Sequence, residues 1–577
     1  MSVRYLATLQ DEPVDPNCAE RRTNACEGEH FFGEHEGKRY CVLHFPSVDK
    51  KSSFDLAIKR KIESKDSNYK GVWFPDQAAF RHFEFEKKVD FSLAVFNGQA
   101  SFDGANFKSD TTFKEATFKN DSSFEGATFS GDVDFSSAGF QQVANFSGTR
   151  FQGYSNFWRC VFLGNVSFRR TVFLQTASFW PSTFHSDASF FEASFRWANF
   201  RVSKFHGNAD FRFCSFGIAE FIDATFKDEA TFSFSTFIEL ANFVRAKFDS
   251  TTHIDMATFE KEARFTFVSF KGSTNFRYTV FKDIVAFSSD DETDGSSPDA
   301  AIDFRHTRFE TPDRVSFHSM TLRPHWFLNV DPRPFAFTDV KWFGQLRRQF
   351  IDVEIEELRK REELKRKNVV NRLAERINEL SLFGDEEAVA ELKQEQAEAV
   401  RIEAREPSNV RFYRLMSIAC RQLAVNAVEN HRYDQASDFR FWSMELQRKE
   451  GWGSRGRISI GILHTLYRFL SGYGEDVLRA LIILIAMCLF FAAIYTQVGF
   501  SRSANSNSQI STTNSDERGH PQTVTRALVY SVGVSTLQRP DPRPTTAVAM
   551  AAVLIQTILG PIQVALLILA IRRRFMR

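Results

Sequence analysis

The fold of this chain follows from residues 91–129, which read FSLAVFNGQASFDGANFKSDTTFKEATFKNDSSFEGATF. Its phenylalanines are spaced alternately five and six residues apart, and the same grid continues to Phe287. Of 37 grid positions between Phe91 and Phe287, 36 hold Phe and one holds Ile254. The residue two places before each grid position is small, as at Ala94 and Ala100. We therefore expect every five- or six-residue segment to bury one large and one small side chain.

The repeat of 11 residues fits neither the two-residue period of a strand nor one face of a helix. Ser, Thr, Asn, Asp and Gly dominate between the phenylalanines, and these residues favour turns and local backbone hydrogen bonds. A chain that turns at every segment builds a square-sectioned solenoid with two repeats, or 22 residues, per coil. Residue i then stacks on residue i+22, so Phe91, Phe113 and Phe135 are predicted to form one internal ladder.

The pattern A-x-F-x-x, with an extra residue in every second segment, resembles the Phe-centred form of the pentapeptide-repeat family. The resemblance implies a right-handed quadrilateral β-helix. The 196 residues after Phe91 predict about nine coils, or ~43 Å at ~4.8 Å per coil. Two runs spaced five-five-five, 195–205 and 216–226, are interpreted as shortened corners. Residues 321–343 are expected to cap the last coil, as solenoid ends require.

Composition divides the rest of the chain. We predict an N-terminal Cys/His segment at 1–66, the β-helix with its C-terminal cap at 67–345, and a helical stalk with a helix–turn–helix at 346–475. From Gln349 the stalk is rich in Glu, Lys, Arg, Leu and Ala, which is typical of a charged helical hairpin. Its short apolar stripe leaves open whether it self-associates or stays a solvated monomer.

Two apolar stretches near the end of the sequence are long enough to cross a bilayer. Residues 480–495, ALIILIAMCLFFAAIY, are 16 uninterrupted apolar or aromatic residues, and TQVGF extends them to 21. Residues 547–571 form a second run of 25. About 20 helical residues span the hydrocarbon core. We therefore predict a two-helix transmembrane hairpin within 476–577, with an extracytoplasmic loop at 501–546.

Arginines flank both outer ends of this hairpin: Arg455, Arg457, Arg468 and Arg479 before it, and Arg572, Arg573, Arg574 and Arg577 after it. Basic residues concentrate on the cytoplasmic side of membrane proteins, so both termini and the solenoid are predicted to be cytoplasmic. The order of segments resembles that of bacterial membrane-bound pentapeptide-repeat proteins. That resemblance implies a multi-pass protein of the bacterial inner membrane and no settled activity.

The loop contains a half-apolar run, TVTRALVYSVGVSTLQRP, of about pore-helix length. Span, short helix and span together resemble the two-helix pore module of cation channels. STLQRPDP stands where a TVGYG-like filter belongs, and Gly472-Tyr473-Gly474 precedes the first span, on the wrong side of the membrane. Two hypotheses remain: a membrane-anchored scaffold, and an oligomeric two-helix ion channel with the β-helix as its sensor. A pore would require a homo-oligomer.

Polar residues interrupt the second span at Gln556 and Gln563. Such side chains at midspan are expensive against lipid, so we expect them to face a partner helix or an aqueous path. Gly560-Pro561 between them permits a kink. These four positions are the membrane polar and pore candidates.

Three of the seven cysteines lie in the N-terminal segment, spaced C-x7-C-x14-C-x2-H as Cys18, Cys26, Cys41 and His44. Four such ligands satisfy tetrahedral Zn²⁺ and leave no open position. The pattern therefore predicts a structural zinc site, with His30 and His35 as alternative ligands. The other reading is three reduced thiols beside a lone histidine. Cys160 and Cys214 instead occupy the small slot of the repeat.

One surface stands out on the predicted solenoid. Exposed Trp together with Arg is typical of binding hot spots, and the relevant residues are Trp158, Trp180, Trp197, Arg159, Arg169 and Arg170. Trp158 and Trp180 are 22 residues apart and are expected to stack outside the coil. An unidentified cytoplasmic protein is the predicted partner, and a neutral surface with scattered aromatics is the alternative.

The overall charge excludes some functions. Lys and Arg number 73 against 72 Asp and Glu, a net charge of +1, which argues against a nucleic-acid partner. The sequence contains no Gly-rich phosphate loop, no HExxH and no nucleophile elbow, the motifs that carry common catalytic chemistry. We therefore predict no enzymatic activity.

Overall fold

The computed structural model describes residue 18 and residues 31–289, 302–342, 352–360, 393, 409–453, 458–497, 521–538 and 546–575. The chain divides into two compact units, Met1–Phe343 and Gly344–Arg577. Most of the predicted charged helical hairpin, residues 349–407, and most of the predicted loop 501–546 lie outside the described residues.

The first unit is a β-solenoid, as the phenylalanine grid predicts. It has about 12 turns and not the nine predicted from residues 91–287, because its strands begin at Trp73–Phe74 and continue to Lys341–Trp342. One regular coil consists of the strands Val95–Phe96, Ala100–Ser101, Asn106–Phe107 and Thr111–Thr112. Each strand pairs in parallel with its equivalents in the neighbouring coils. The sheets have 19 strands from Glu84–Phe85 to Ala336–Thr338, 10 from Trp73–Phe74 to Ser269–Phe270, and 11 from Ala78–Ala79 to Ile302–Asp303.

Phenylalanine rings fill the inside of the tube. The centroid of Phe91 lies 4.9 Å from that of Phe113, which lies 4.8 Å from that of Phe135, with rings tilted by no more than 5°. Rings on adjacent sides meet edge to face, as Phe124 does Phe135 at 5.4 Å. Stacked and edge-to-face rings are both favourable geometries. The predicted ladder of residues i and i+22 is confirmed.

The small slot two residues before each phenylalanine also satisfies the backbone. Thr149 donates its hydroxyl to the carbonyl of Phe124 at 2.7 Å, and Thr171 repeats the contact one coil later with Phe146. Cys160 occupies the same slot, with its Sγ 2.9 Å from the Phe135 carbonyl. Burial raises the pKa of the Cys160 thiol well above its ordinary value, so this cysteine is a packing residue.

The five-five-five runs are not shortened corners. In the preceding coil the strand Val172–Ser178 carries a bulge between Phe173 and Thr176. In the two coils that follow, Ser194–Asn199 pairs with Ser215–Glu220 without any register shift. The shorter coils therefore lack the extra residue that forms the bulge on one side of the tube. Without the bulge, that side is a single regular strand.

Both ends of the solenoid are covered. At the start, helix α1 (Lys51–Glu63) packs Phe54 edge to face on Phe74 at 5.5 Å. At the end, the short helix Pro324–Phe327 buries its four residues, and Phe327 meets Trp342 at 6.1 Å. These contacts remove the terminal coils' apolar faces from water, as a solenoid requires.

The second unit is helical. Its described residues include a helical segment at 352–360 and the helices α2 (Asn409–Glu429), α3 (Tyr433–Gly453), α4 (Ile458–Ser471), α5 (Val477–Gln497), α6 (Pro521–Ser535) and α7 (Ala547–Phe575). Two helices, Val477–Gln497 and Ala547–Arg573, are long and apolar enough to cross a membrane. Between α4 and α5 the chain makes a tight turn at Gly472–Gly474, whose three residues all have positive φ.

Candidate functional site

Three of the four predicted zinc ligands lie together in the first unit. The ligand atoms of Cys18, Cys41 and His44 are all within 4.8 Å of one another, and all three residues are buried. His44 Nδ1 lies 3.0 Å from the sulfur of Cys41 and 4.0 Å from that of Cys18. Tetrahedral zinc would separate sulfur and nitrogen ligands by roughly 3.6 Å, between the two observed values. The group can therefore hold a metal ion.

The remaining predicted ligand, Cys26, lies outside the described residues. His35 is on the hairpin strand β1 (Phe31–His35), which pairs with β2 (Lys38–Cys41), and it is not part of the buried group. His44 Nε2 lies 3.0 Å from the carbonyl of Lys70. Donation of that N–H leaves the Nδ1 lone pair for a metal, the arrangement that outer partners of ligating histidines produce.

A buried lysine stands beside this group. Lys50 donates its ammonium to the carbonyl of Leu43 at 2.8 Å and lies over the ring of Phe54 at 4.7 Å. Burial lowers the pKa of Lys50 to about 7, against the opposing attraction of Cys41. Trp73 in the first coil donates its backbone N–H to Leu43 at 2.9 Å. The Cys/His segment is thus joined to the start of the solenoid at several points.

The predicted Trp/Arg surface does not form one patch. Trp158 and Arg159 follow one ladder phenylalanine, whereas Arg169 and Arg170 follow another, 11 residues or half a coil later. Half a coil places the two pairs on opposite sides of the tube. Arg170 pairs with Glu192 at 2.6 Å. Trp197 lies within the strand Ser194–Asn199, with its indole nitrogen 3.4 Å from Glu220.

Among the described residues, Trp158 and Trp180 do not stack, contrary to their 22-residue spacing. Arg159 lies over the Trp158 ring instead, at 4.4 Å. Arg159 has φ of 55°, and the equivalent residue one coil later is Pro181. Proline cannot adopt a positive φ, so the turn that carries Trp180 departs from the regular corner.

A different exposed surface appears on the corner that follows the Phe80 ladder. In four consecutive coils the second residue after the ladder position is large and apolar: Phe213, Phe234, Met256 and Tyr278. Each is 44–51% exposed. The rings of Phe213 and Phe234 stack at 4.8 Å, and Tyr278 stacks on His306 at 5.0 Å. We call these four residues the aromatic ridge.

The ridge residues occupy a backbone conformation that suits glycine. Their φ angles are 58–62°, and earlier coils use Gly104, Gly126 and Gly148 at the same corner. A left-handed conformation costs an L-residue about 1–2 kcal/mol. These coils thus combine backbone strain with exposure of apolar rings, and exposed apolar patches mark interaction sites.

The ridge residues are not among the predicted surface residues, because the phenylalanine grid marks buried positions. Their signal is present in the sequence as apolar residues spaced 21 to 22 apart, two positions after one ladder. Phe191 extends the ridge at one side, with its ring 5.4 Å from that of Phe213. Arg169 and Arg212 lie over the Phe191 ring at 4.5 and 5.4 Å. Of the predicted surface residues, Arg169 contacts this region through Phe191.

In the second unit, Gln556 is fully buried among three helices. Its Nε2 donates to the Ser531 carbonyl at 2.9 Å and lies 2.9 Å from the hydroxyl of Ser535. Tyr495 donates its hydroxyl to Gln556 Oε1 at 2.6 Å. The glutamine therefore faces partner helices of its own chain, one of the two environments expected for it.

Gln563, near the middle of α7, also contacts helices of its own chain. Its Nε2 donates to the carbonyls of Leu470 and Ala480, at 3.0 and 2.8 Å. α7 is 29 residues long and continues through Pro561. The hydrogen bond to Ala480 places Gln563 level with the start of α5. Gln563 Oε1 has no hydrogen-bond partner within the described part of the chain.

Gly560 is required by close packing. A Cβ at this position would lie 2.6 Å from the Cα of Ser535. Ser535 is the last residue of α6, and Gly560 is near the middle of α7. On the other side, Ser531 donates its hydroxyl to the carbonyl of Cys488 in the middle of α5, at 2.9 Å. The C-terminal end of α6 therefore lies level with the middle of both apolar helices.

Comparison with known families agrees with the repeat. The family described as pentapeptide repeats (9 copies) matches residues 80–128, 91–139, 124–172 and 146–194. The matched region lies within the β-solenoid. Comparisons with curated proteins and with solved structures find no match to this chain.

Proposed function

We propose that the chain is a membrane-anchored scaffold that binds a protein partner on the aromatic ridge of its β-solenoid. The observation that carries the proposal is the row of strained, half-exposed apolar side chains at Phe213, Phe234, Met256 and Tyr278. Aromatic residues and Met are enriched in protein interfaces. Since the overall charge is near neutral, we expect the partner to be a protein and not a nucleic acid. We also expect the chain to have no enzymatic activity.

The two apolar helices support membrane attachment. We propose that α5 and α7 cross the bacterial inner membrane and that both termini and the solenoid are cytoplasmic. The excess of arginines at the outer ends of the hairpin supports this orientation. Reduced, buried cysteines at positions 160, 214 and 420 suit a reducing compartment.

Site-specific photocrosslinking tests the scaffold proposal. A photoreactive phenylalanine analogue replaces Phe234 in the full-length chain. The matched control carries it at Val202, another exposed left-handed position, one and a half coils away and so on the opposite side of the tube. We expect a discrete adduct of defined mass from position 234 in intact cells, and none from position 202. Equal crosslinking from both positions, or none from either, would refute a partner site on the ridge.

We further propose that Cys18, Cys41 and His44, together with Cys26, bind a structural zinc ion that fixes the N-terminal segment to the first coil. The buried ligand atoms and the His44–Lys70 contact support this proposal. Elemental analysis of the purified chain is expected to find about one zinc per chain, and a Cys41→Ser variant is expected to lose it. Cys214→Ser, which removes a cysteine from the solenoid interior, is the control that keeps the metal.

A second candidate function is ion conduction by an oligomer. The specific observation is that α6 enters between α5 and α7 and ends level with their middles. The carbonyl end of a helix carries partial negative charge, and pore helices of cation channels direct such ends at the ion path. The native mass of the purified assembly and flux into liposomes test this candidate. A monomer or dimer without flux would exclude it.

A further inference from the structure

A cavity of about 300 Å³ lies where α2, α3, α4, the turn at Gly472–Gly474 and the end of α7 meet. Its lining includes three arginines, Arg421, Arg440 and Arg573, together with the polar side chains of Ser443, Gln447 and Tyr467. The three cations come from three different helices, so helix packing and not local sequence brings them together.

The carboxylate at this site does not neutralise the arginines. Glu475, with a side chain only 7% exposed, pairs with Arg573 at 3.1 Å and with Arg440 at 3.4 Å. Arg421 is exposed and has no carboxylate partner among the described residues. Asp434 and Asp438 lie on the same helix as Arg440 but do not line the cavity. Three arginines against the one carboxylate leave an excess of positive charge at the cavity, and Arg421 is the cation there without a carboxylate partner in the described part of the chain.

The backbone turn holds this arrangement in place. Arg573 donates to the carbonyl of Tyr473 at 3.0 Å, and the Tyr473 hydroxyl donates to Glu445 at 2.8 Å. A Cβ at Gly474 would lie 2.8 Å from the Tyr467 hydroxyl, and Gly474 has φ of 75°. Only glycine lets the turn approach Tyr467 so closely, which keeps Arg573 against the cavity.

Helix α4 supplies a second, independent observation. Its large apolar residues at one face, Ile462, Leu463, Leu466 and Phe469, are 53–68% exposed. Beside this face Tyr467 lines the cavity, and on the far side of the helix Arg468 pairs with Glu445 at 2.9 Å. A helix with one apolar and one polar face next to a membrane span lies in the plane of the bilayer surface. That placement puts the cavity at the level of the lipid phosphates.

We propose that this cavity binds the phosphate of an anionic phospholipid headgroup. Arginine forks match phosphate oxygens, and basic pockets beside membrane helices bind such headgroups. The apolar part of α7 ends at Ile571, two residues before Arg573, so a lipid with its chains along α7 has its phosphate beside this arginine. The inference rests on the membrane attachment proposed above.

The test is native mass spectrometry of the full-length chain in neutral detergent, titrated with phosphatidylglycerol or phosphatidylcholine. Wild type is expected to retain phosphatidylglycerol preferentially. Arg421→Gln is expected to weaken that binding about five-fold, since one cation near the membrane surface contributes about that factor. Arg421→Lys, which keeps the charge, should retain most of it. Arg411→Gln, on an exposed site of the same helix, is the matched control and should bind like wild type.

Equal phosphatidylglycerol binding by wild type and Arg421→Gln would overturn the site. If millimolar inorganic phosphate displaces the lipid and the chain shows no preference between the two lipids, the cavity binds a soluble phosphate compound. That result would refute phospholipid as the ligand. Flotation of every variant with vesicles tests membrane attachment separately from headgroup binding. If the wild-type chain does not float with vesicles, membrane attachment is contradicted. If it floats but shows no preference between the two lipids, only the headgroup site is contradicted.

Discussion

Replacing Phe135 by alanine is the change whose effect the solenoid determines most directly. Phe135 is fully buried, stacked between Phe113 at 4.8 Å and Phe157 at 5.0 Å. It also meets Phe124 and Phe146 edge to face, at 5.4 and 5.5 Å. Truncation of such a residue to alanine lowers the free energy of unfolding by about 3–5 kcal/mol. Coils contact only their neighbours, so the loss is expected to be local.

Hydrogen exchange followed by mass spectrometry measures the local loss of stability on the full-length protein. A loss of about 3–5 kcal/mol accelerates exchange through opening by roughly one hundred- to four thousand-fold. We expect that acceleration in the coils from Phe113 to Phe157 and little change beyond Phe243. Phe213→Ala is the matched control, because its ring is half exposed and its removal leaves no internal cavity. Similar effects from both variants, or acceleration spread evenly along the solenoid, would refute an interior built of phenylalanine ladders.

Three further predictions concern the helical unit. Gly560→Ala places a methyl group against Ser535, and overpacking is expected to lower the stability in detergent by about 1–3 kcal/mol; an unchanged melting temperature would contradict the close approach of α6 and α7. Gln556→Leu leaves the Ser535 and Tyr495 hydroxyls without their partner, and we expect the free energy of unfolding in detergent to fall by about 0.6–2 kcal/mol. Thr557→Val, at an exposed position on the same helix, is the control and should leave the stability unchanged. Burial, aided by Asp434 and Glu475, raises the pKa of Asp438 from 3.8 to about 6. The folded state therefore binds the proton more tightly than the unfolded state, so this carboxyl's contribution to stability is largest below pH 4 and is lost as the pH rises to about 6. Asp438→Asn should remove that part of the pH dependence in denaturation curves, and an unaltered profile would argue against the raised pKa.

The sequence predicts the solenoid interior well because each rung repeats the same physical constraint. A ring every five or six residues and a small residue two places before it leave only one way to close a coil, so Phe91 and Phe113 stack as expected. The shortened coils were harder to place. Nothing in the spacing of 195–205 distinguishes a lost corner residue from a lost bulge, and only the register of Ser194–Asn199 with its neighbours decides.

The candidate sites depend more on packing between distant segments. Cys41 and His44 are close in sequence and recognisable as a pair of ligands, but Cys18 lies 23 residues before Cys41 and only tertiary structure brings its sulfur to them. Trp158 and Trp180 follow the repeat spacing, yet one proline changes the corner that would have stacked them. Arg421 and Arg573 are 152 residues apart, and no local pattern indicates that they line one cavity.

The central claim is a phenylalanine-filled β-solenoid held on the cytoplasmic side of a membrane by two spans. The most direct test of this claim introduces one cysteine at a time and labels intact cells with a membrane-impermeant maleimide. Labelling of the unsubstituted chain gives the background from the native cysteines. Ser508→Cys, in the predicted external loop, should react in intact cells, whereas Ser130→Cys, exposed on the solenoid, should react only after the membrane is permeabilised. Labelling of Ser130→Cys in intact cells would contradict the claim.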